Sequence, residues 1–182
     1  SGAEGFLFDV TDSGVLDFDL GDADVVNTGD TGFELNVDGP NTVHNLNFVD
    51  VDLTGAEFNV TGGAVVNGDV TGGSLSNSPV DGVLADVSDP DSELNLTFID
   101  TEINNNGQGG TGNGFNASVA NQGSLVLDFN GGTISSNMSN GLQVLAQDAG
   151  STADVSMGST DVNMNAGGDG FHFEVTGGAV LT

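Results

Sequence analysis

Apolar and polar residues alternate in short runs along this chain, and seven of these runs each follow a glycine. After Gly32, for example, Phe33, Leu35 and Val37 alternate with polar residues. An alternation with a period of two predicts β-strands. Such runs follow Gly5, Gly32, Gly55, Gly82, Gly114, Gly141 and Gly170. Their spacings of 27, 23, 27, 32, 27 and 29 residues indicate a repeat architecture.

The repeat from Gly114 to Asn140 illustrates one coil. Three short strands alternate with two turns, and their inward positions are Phe115, Ala117, Val119, Leu125, Leu127, Phe129 and Ile134. In six coils the last inward residue of the second strand precedes the main inward residue of the third strand by five positions. These pairs are Leu20 and Val25, Phe48 and Leu53, Val70 and Leu75, Phe98 and Ile103, Phe129 and Ile134, and Met157 and Val162.

This register predicts an all-β fold, a parallel β-helix with three strands per coil, six full coils and a partial seventh. We expect one domain over 1–182, roughly 30 Å long at about 4.8 Å per coil. It is either a segment of a longer solenoid or a subunit of a polymer. A β-sandwich also has many short strands, but it requires no constant five-residue interval. The first inward column is predicted to hold Phe6, Phe33, Ala56, Val83, Phe115, Leu142 and Phe171.

Two further patterns concern single residue types. Asp or Asn precedes four of the repeat glycines, at Asp81, Asn113, Asn140 and Asp169, which predicts turns that tolerate positive φ. Asn27, Asn77 and Asn105 lie two residues past the third-strand apolar position, and we predict that they form part of an inward amide ladder.

Charge limits the partners of this chain. Its 182 residues include 27 Asp and Glu, two His and neither Lys nor Arg, so the net charge is −27. Contacts with phosphate need basic side chains, so nucleic acid and anionic membrane surfaces are not expected partners. Cations are the natural partners. Cysteine is absent, so disulfide and thiolate chemistry are excluded.

One corner of the predicted solenoid concentrates carboxylates. By the same register, Asp22 stacks on Asp50, Asp24 stacks on Asp52, and Asp19 lies against Asn47. Stacked carboxylates repel each other unless a cation lies between them, and a set of oxygen ligands favours Ca²⁺. These five acids and Asn47 therefore form a first candidate calcium site, whose alternative is a solvated acidic ridge. Asp89, Asp91 and Glu93 form a weaker loop candidate.

The two histidines offer no catalytic or metal constellation. His44 lies on the inward column with Leu16, which predicts a buried, hydrogen-bonded core histidine. His172 faces outward on the last coil, beside Glu174. Neither has a second His or a Cys to form a metal site or a triad.

The chain resembles the right-handed parallel β-helix repeats of large secreted bacterial surface proteins, within the pectate-lyase-like superfold. Segment 137–155, NMSNGLQVLAQDAGSTADV, is the most typical stretch. The resemblance is one of pattern and covers nearly the whole chain. It implies a right-handed solenoid and a secreted location at the cell surface, without implying an activity.

Catalysis is not expected. Polygalacturonase-like members of this superfold carry Asn-Thr-Asp, Asp-Asp, Gly-His-Gly and Arg-Ile-Lys signatures, none of which is present. The lyase members use Arg or Lys near a calcium, and this chain has neither residue. A polysaccharide-degrading enzyme is therefore the weakest interpretation.

The predicted ends favour a structural role. Solenoids normally end in polar caps, but both terminal coils here are apolar. We expect an extracellular subunit of a filament, surface layer or matrix, assembled head to tail with copies of itself and stabilised by calcium. The alternative is a stalk or binding segment of an adhesin. The assembly residues would be Phe6, Phe8, Phe171, Phe173 and Val180.

Overall fold

The computed structural model describes residues 5–26, 28–29 and 31–182, and over these ranges it contains strands and turns but no helix, hence no helix that could cross a membrane. The strands in chain order are β1 (Phe6–Thr11), β2 (Asp17–Gly21), β3 (Asp24–Val25), β4 (Phe33–Asp38), β5 (Val43–Val49), β6 (Asp52–Leu53), β7 (Ala56–Thr61), β8 (Val65–Thr71), β9 (Ser74–Leu75), β10 (Val83–Ser88), β11 (Glu93–Ile99), β12 (Glu102–Asn104), β13 (Phe115–Ala120), β14 (Ser124–Asn130), β15 (Thr133–Ser135), β16 (Leu142–Ala146), β17 (Thr152–Met157), β18 (Asp161–Asn163), β19 (Phe171–Val175) and β20 (Val180–Leu181).

Successive strands join three parallel sheets in rotation. The first sheet has the order β1-β4-β7-β10-β13-β16-β19, the second β2-β5-β8-β11-β14-β17-β20, and the third β3-β6-β9-β12-β15-β18. Each strand therefore pairs with the equivalent strand of the next coil. The prediction of an all-β parallel solenoid is confirmed, with about six turns.

The predicted columns are also confirmed. Phe6 pairs with Phe33 and Phe115 pairs with Leu142, while Leu20 pairs with Phe48 in the second sheet. Phe33 and Phe115 are completely buried. Phe171 keeps the same register but is 46% exposed, because β19 is the last strand of its sheet.

Left-handed backbone turns the chain at its corners. One residue after each second-sheet strand in five coils has a φ between 48° and 87°: Asp22, Asp50, Gly72, Asp100 and Gly131. A second set follows the third-sheet strands, with φ between 51° and 88°: Gly55, Asn77, Asn105, Ser136 and Met164. Gly, Asn and Asp tolerate this conformation best, which explains most of the residue types at these corners.

The repeat glycines have a different role from the predicted one. None of the four glycines that follow Asp81, Asn113, Asn140 and Asp169 has a positive φ, so the prediction of positive-φ turns there was wrong. Among the described residues, Gly55 is the one repeat glycine with a positive φ, and neither Asp nor Asn precedes it. Close packing between coils explains glycine there instead. A Cβ at Gly114 would lie 2.6 Å from both Asn137 Nδ2 and the Gly141 carbonyl oxygen, and a Cβ at Gly141 would lie 2.6 Å from Asn165 Nδ2.

The substitution Gly114→Ala should therefore destabilise the fold by roughly 2 kcal/mol, because overpacking against backbone cannot relax easily. Gly170→Ala is the matched control, since it has the same repeat position but its Cβ would meet nothing closer than Val162 Cγ1 at 3.6 Å. We expect the control to change the free energy of unfolding by less than about 0.5 kcal/mol. Urea unfolding at constant salt measures the free energy of unfolding of both variants. Equal decreases in Gly114→Ala and Gly170→Ala would contradict the close-packing explanation.

Candidate functional site

The acidic corner has the predicted register. Asp24 pairs with Asp52 in the third sheet, and Asp19 pairs with Asn47 in the second. Asp22 and Asp50 occupy equivalent left-handed positions in consecutive coils, with φ of 48° and 51°. The side chains that the sequence predicted to stack are therefore on neighbouring coils.

Several of these carboxylates have structural partners. The Asp52 carboxylate accepts a hydrogen bond from Ser74 Oγ at 2.7 Å. The Asp50 carboxylate fills the space over Gly72, where a Cβ would clash with it, and Asp100 packs over Gly131 in the same way. In the part of the chain that the structure describes, no three His, Cys, Asp or Glu side chains are grouped closely enough to hold a metal ion. Calcium binding at this corner stays a prediction.

The weaker acidic candidate, the loop at 89–93, is hydrogen-bonded to the preceding coil. Asp89 Oδ2 accepts a hydrogen bond from the Gly62 N–H at 3.4 Å, and Ser92 Oγ accepts one from the Gly63 N–H at 2.9 Å. Asp91 has a φ of 67° in the same turn, and Glu93 accepts from Asn95 Nδ2 at 2.6 Å.

The same pair of hydrogen bonds, from two backbone N–H groups to an Asp and a Ser side chain of the next coil, recurs two coils later. Asp148 Oδ2 accepts from the Asn121 N–H at 3.4 Å, and Ser151 Oγ accepts from the Gln122 N–H at 3.0 Å. An Asp followed three residues later by Ser, present at both places, is the sequence signal that could have identified this role.

The inward amide ladder exists, but one residue further along than predicted. Asn77 and Asn105 are exposed at the left-handed corner positions, so their prediction was wrong, and Asn27 lies outside the described residues. The left-handed residue reverses the direction of the next side chain. The inward positions are therefore Ser78, Asn106, Asn137 and Asn165.

Asn137 shows how completely this ladder satisfies its polar groups. Its Oδ1 accepts from both the backbone N–H and Nδ2 of Asn106, at 3.1 and 3.0 Å. Its Nδ2 donates to Asn165 Oδ1 at 3.0 Å and to the Ile103 carbonyl at 3.2 Å. Because Asn137 is fully buried, these four hydrogen bonds offset the cost of burying its amide.

A second ladder runs along the corner before the first sheet. Asp81 Oδ1 accepts from the Asn113 N–H at 2.6 Å, Asn113 Oδ1 from the Asn140 N–H at 3.0 Å, and Asn140 Oδ1 from the Asp169 N–H at 2.8 Å. These residues are the Asp and Asn that precede the repeat glycines. They connect neighbouring coils instead of forming positive-φ turns with those glycines.

Outward acids stack mainly on amides and hydroxyls. Asn36 Nδ2 donates to Asp9 at 2.8 Å, and Asn45 Nδ2 donates to Asp17 at 2.8 Å. Among the strand registers of the described residues, acid meets acid directly only at Asp24 with Asp52 and at Glu34 with Glu57. This spacing separates much of the −27 charge along each ladder.

His44 is a buried core histidine, as predicted. Its Nδ1 accepts a hydrogen bond from the Leu16 N–H at 3.1 Å, so Nε2 carries the proton and donates to Thr42 Oγ1 at 2.9 Å. Thr42 Oγ1 donates in turn to the Gly39 carbonyl at 3.1 Å. Burial lowers the pKa of His44, and the Asp17 carboxylate partly opposes this effect. The neutral ring is therefore the form that fits the fold.

The two ends of the solenoid expose apolar side chains. Phe171, Phe173, Val175 and Val180 are 43–51% exposed, and Phe6 and Phe8 are half-buried at the other end. Among the described residues, β1 and β19 each pair with only one strand, so each has one free edge.

The surface of the solenoid has shallow grooves. One of them, of about 550 Å³, is lined in the described residues by Val26, Thr28, Gly29, Thr54, Ser76, Asn77, Pro79 and Gln108, without a carboxylate or an imidazole. His172 lies elsewhere, on the last coil, with its Nδ1 3.9 Å from Asp169 Oδ2.

Comparisons with protein families, with curated proteins and with solved structures found no match to this chain.

The buried histidine makes stability depend on pH. An unfolded histidine binds a proton near pH 6.5, whereas folded His44 resists protonation, so stability is complete above that pH and falls as the pH drops through it. Between pH 8 and pH 5.5, wild-type protein should lose roughly 1 kcal/mol more unfolding free energy than His44→Asn, whose Oδ1 can still accept from Leu16.

The exposed histidine provides the control. His172→Asn is the matched variant, because it makes the same replacement at an exposed position of the last coil. Titrating carboxylates contribute to all three proteins and cancel in the comparison. If His44→Asn and wild type show the same dependence in urea unfolding across this range, the interpretation of His44 is wrong.

Proposed function

We propose that this chain is a structural subunit of an extracellular filament, surface layer or matrix, assembled by end-to-end stacking of solenoids. The observation that carries the proposal is the pair of free apolar edges at β1 and β19. The extracellular location rests on the resemblance to secreted bacterial surface repeats. Right-handed winding rests on that resemblance and on the strong preference of parallel β-crossovers for this hand.

The two terminal strands of the first sheet match in pattern. β1 reads Phe-Leu-Phe-Asp-Val and β19 reads Phe-His-Phe-Glu-Val. If β19 of one copy pairs with β1 of the next in the register of the internal coils, Phe171 stacks on Phe6, Phe173 on Phe8, and Val175 on Val10. In the second sheet, the same register places Leu181 on Leu16.

Such a junction is energetically favourable. It extends two ladders of backbone hydrogen bonds and buries half-exposed phenylalanines, at about 25 cal/mol per Å² of apolar surface. The gain is several kcal/mol before the costs of association. The contact joins unlike ends, so it propagates as a fibre rather than closing as a dimer.

Because of its charge, we expect the chain to assemble only when salt or cations screen the repulsion between copies. A net charge of −27 on each copy gives a long-range repulsion that salt screens. The partners in this proposal are therefore other copies of the chain and cations, including divalent cations, with no role for nucleic acid or membrane insertion. It involves no catalytic step.

The assembly proposal is tested by Phe171→Asp. Wild type should form filaments in the presence of salt or divalent cations, while the variant should stay monomeric with intact middle coils, because a carboxylate replaces the apolar contact with Phe6. Ile99→Asp is the control, since it makes the same kind of change at an exposed side position of β11, where the paired residues are Thr71 and Asn130.

Electron microscopy and sedimentation velocity measure the outcome. The control should assemble like wild type. Wild type that remains monomeric at high concentration in salt and calcium would contradict the proposal and favour an adhesin segment. Unimpaired assembly of Phe171→Asp would also contradict it.

Calcium stabilisation is a separate part of the proposal. What supports it is the stack of Asp24 on Asp52, with Asp22, Asp50 and Asp19 nearby in sequence. Calcium should raise the melting temperature above that in NaCl of equal ionic strength, by mass action on the folded state. Asp24→Asn should reduce this difference, whereas Asp154→Asn, at an exposed side position of β17 several coils away, should not. Equal melting temperatures of the wild-type protein in EDTA and in calcium would contradict the proposed stabilisation by calcium.

A further inference from the structure

We infer that a contact between Glu174 of one copy and Asp9 of the next adds a local repulsion to the end-to-end junction, and that this repulsion increases its salt dependence beyond the effect of the net charge. This inference rests on the proposed assembly and specifies its electrostatics. Phe171 stacked on Phe6 fixes the register, and three residues further along each strand Glu174 then lies on Asp9. The partner that the edge fits is thus a second copy, whose approach requires screening of this local repulsion as well as of the net charge.

The column that contains these two residues avoids such a contact inside the chain. Asp9 pairs with Asn36, whose Nδ2 donates to it at 2.8 Å. Asp86 pairs with Asn59 on one side and Ser118 on the other. Glu174 pairs with the apolar Leu145. Only stacking of a second copy would place acid against acid in this column.

Inside the chain, nearby amide groups reduce the repulsion where two acids are paired. Glu34 lies against Glu57, and each carboxylate accepts a hydrogen bond from the amide two residues further along its own strand, Asn36 and Asn59, at 2.9 Å. Amide donors of this kind reduce the repulsion between neighbouring carboxylates.

The junction lacks this relief. The residue two positions after Glu174 is Thr176, and within the described part of the chain no hydrogen bond to the Glu174 carboxylate is found. On the other copy, Asn36 Nδ2 already donates to both Asp9 and Glu34, so both of its protons are used. At the junction, only ions in solution would therefore screen the repulsion between Glu174 and Asp9.

The other outward contacts of this sheet are uncharged or have at most one charge. The same register places His172 on Leu7 and Thr176 on Thr11. In the second sheet, Val180 falls on Val15. Among the strand residues that the structure describes, the Glu174–Asp9 contact is thus the one like-charge pair that this register creates at the junction.

The test compares Glu174→Gln with Asp69→Asn, which removes the same single charge at a side position of β8. At low salt, Glu174→Gln should lower the critical concentration for assembly about five-fold, equivalent to about 1 kcal/mol, while Asp69→Asn should leave it nearly unchanged. At high salt, wild type and the two variants should have the same critical concentration. Light scattering against protein concentration gives the critical concentration.

A double-mutant cycle separates local repulsion from a change in net charge. Asp9→Asn should act like Glu174→Gln, and the double variant should gain no more than either, because both changes remove one repulsion. Equal effects of Glu174→Gln and Asp69→Asn, additive effects in the cycle, or salt-independent assembly of wild type would each overturn the inference while leaving the assembly proposal intact. No assembly of any variant in any salt would overturn both.

Discussion

Parallel in-register stacking is the constraint on which the rest of this structure depends. Each residue shares a column with the equivalent residues of the coils before and after it, about 4.8 Å away. A side chain must therefore be compatible with close copies of its own column. Phenylalanine, leucine and valine meet this condition inside the solenoid, and asparagine meets it by donating to one neighbour while accepting from the other, as Asn137 does between Asn106 and Asn165.

Carboxylates do not meet this condition, and their placement follows from that failure. With neither Lys nor Arg to neutralise them, the outward acids lie mostly beside amides and hydroxyls, as Asp9 lies beside Asn36 and Asp52 beside Ser74. Others are placed in turns, where a left-handed backbone tolerates aspartate and where its oxygens can accept N–H groups of a neighbouring coil. An acidic corner in such a fold therefore has a structural explanation as well as a metal-binding one.

The sequence predicted the sheets and the inward columns because both depend on a period of two and on the five-residue interval from Leu20 to Val25 and its equivalents. It located the amide ladder one residue too early, since alternation does not reveal that Asn77 and Asn105 adopt positive φ and that Asn106 consequently points inward. It likewise misassigned Gly114, whose lack of a side chain is required by Asn137 and by the next coil, contacts that exist only after the coils have stacked. The register of the acidic corner was correct, whereas the hydrogen bonds of Asp89 and Asp52 depend on side-chain positions that spacing alone does not give.

We propose that the stacking rule that operates within each copy also operates between copies. Electron cryomicroscopy of material assembled in salt tests it most directly. We expect a continuous strand spacing of about 4.8 Å along the filament axis, unbroken where β19 of one copy meets β1 of the next. Copies packed side by side, or a junction in which the terminal strands are antiparallel or unpaired, would contradict it.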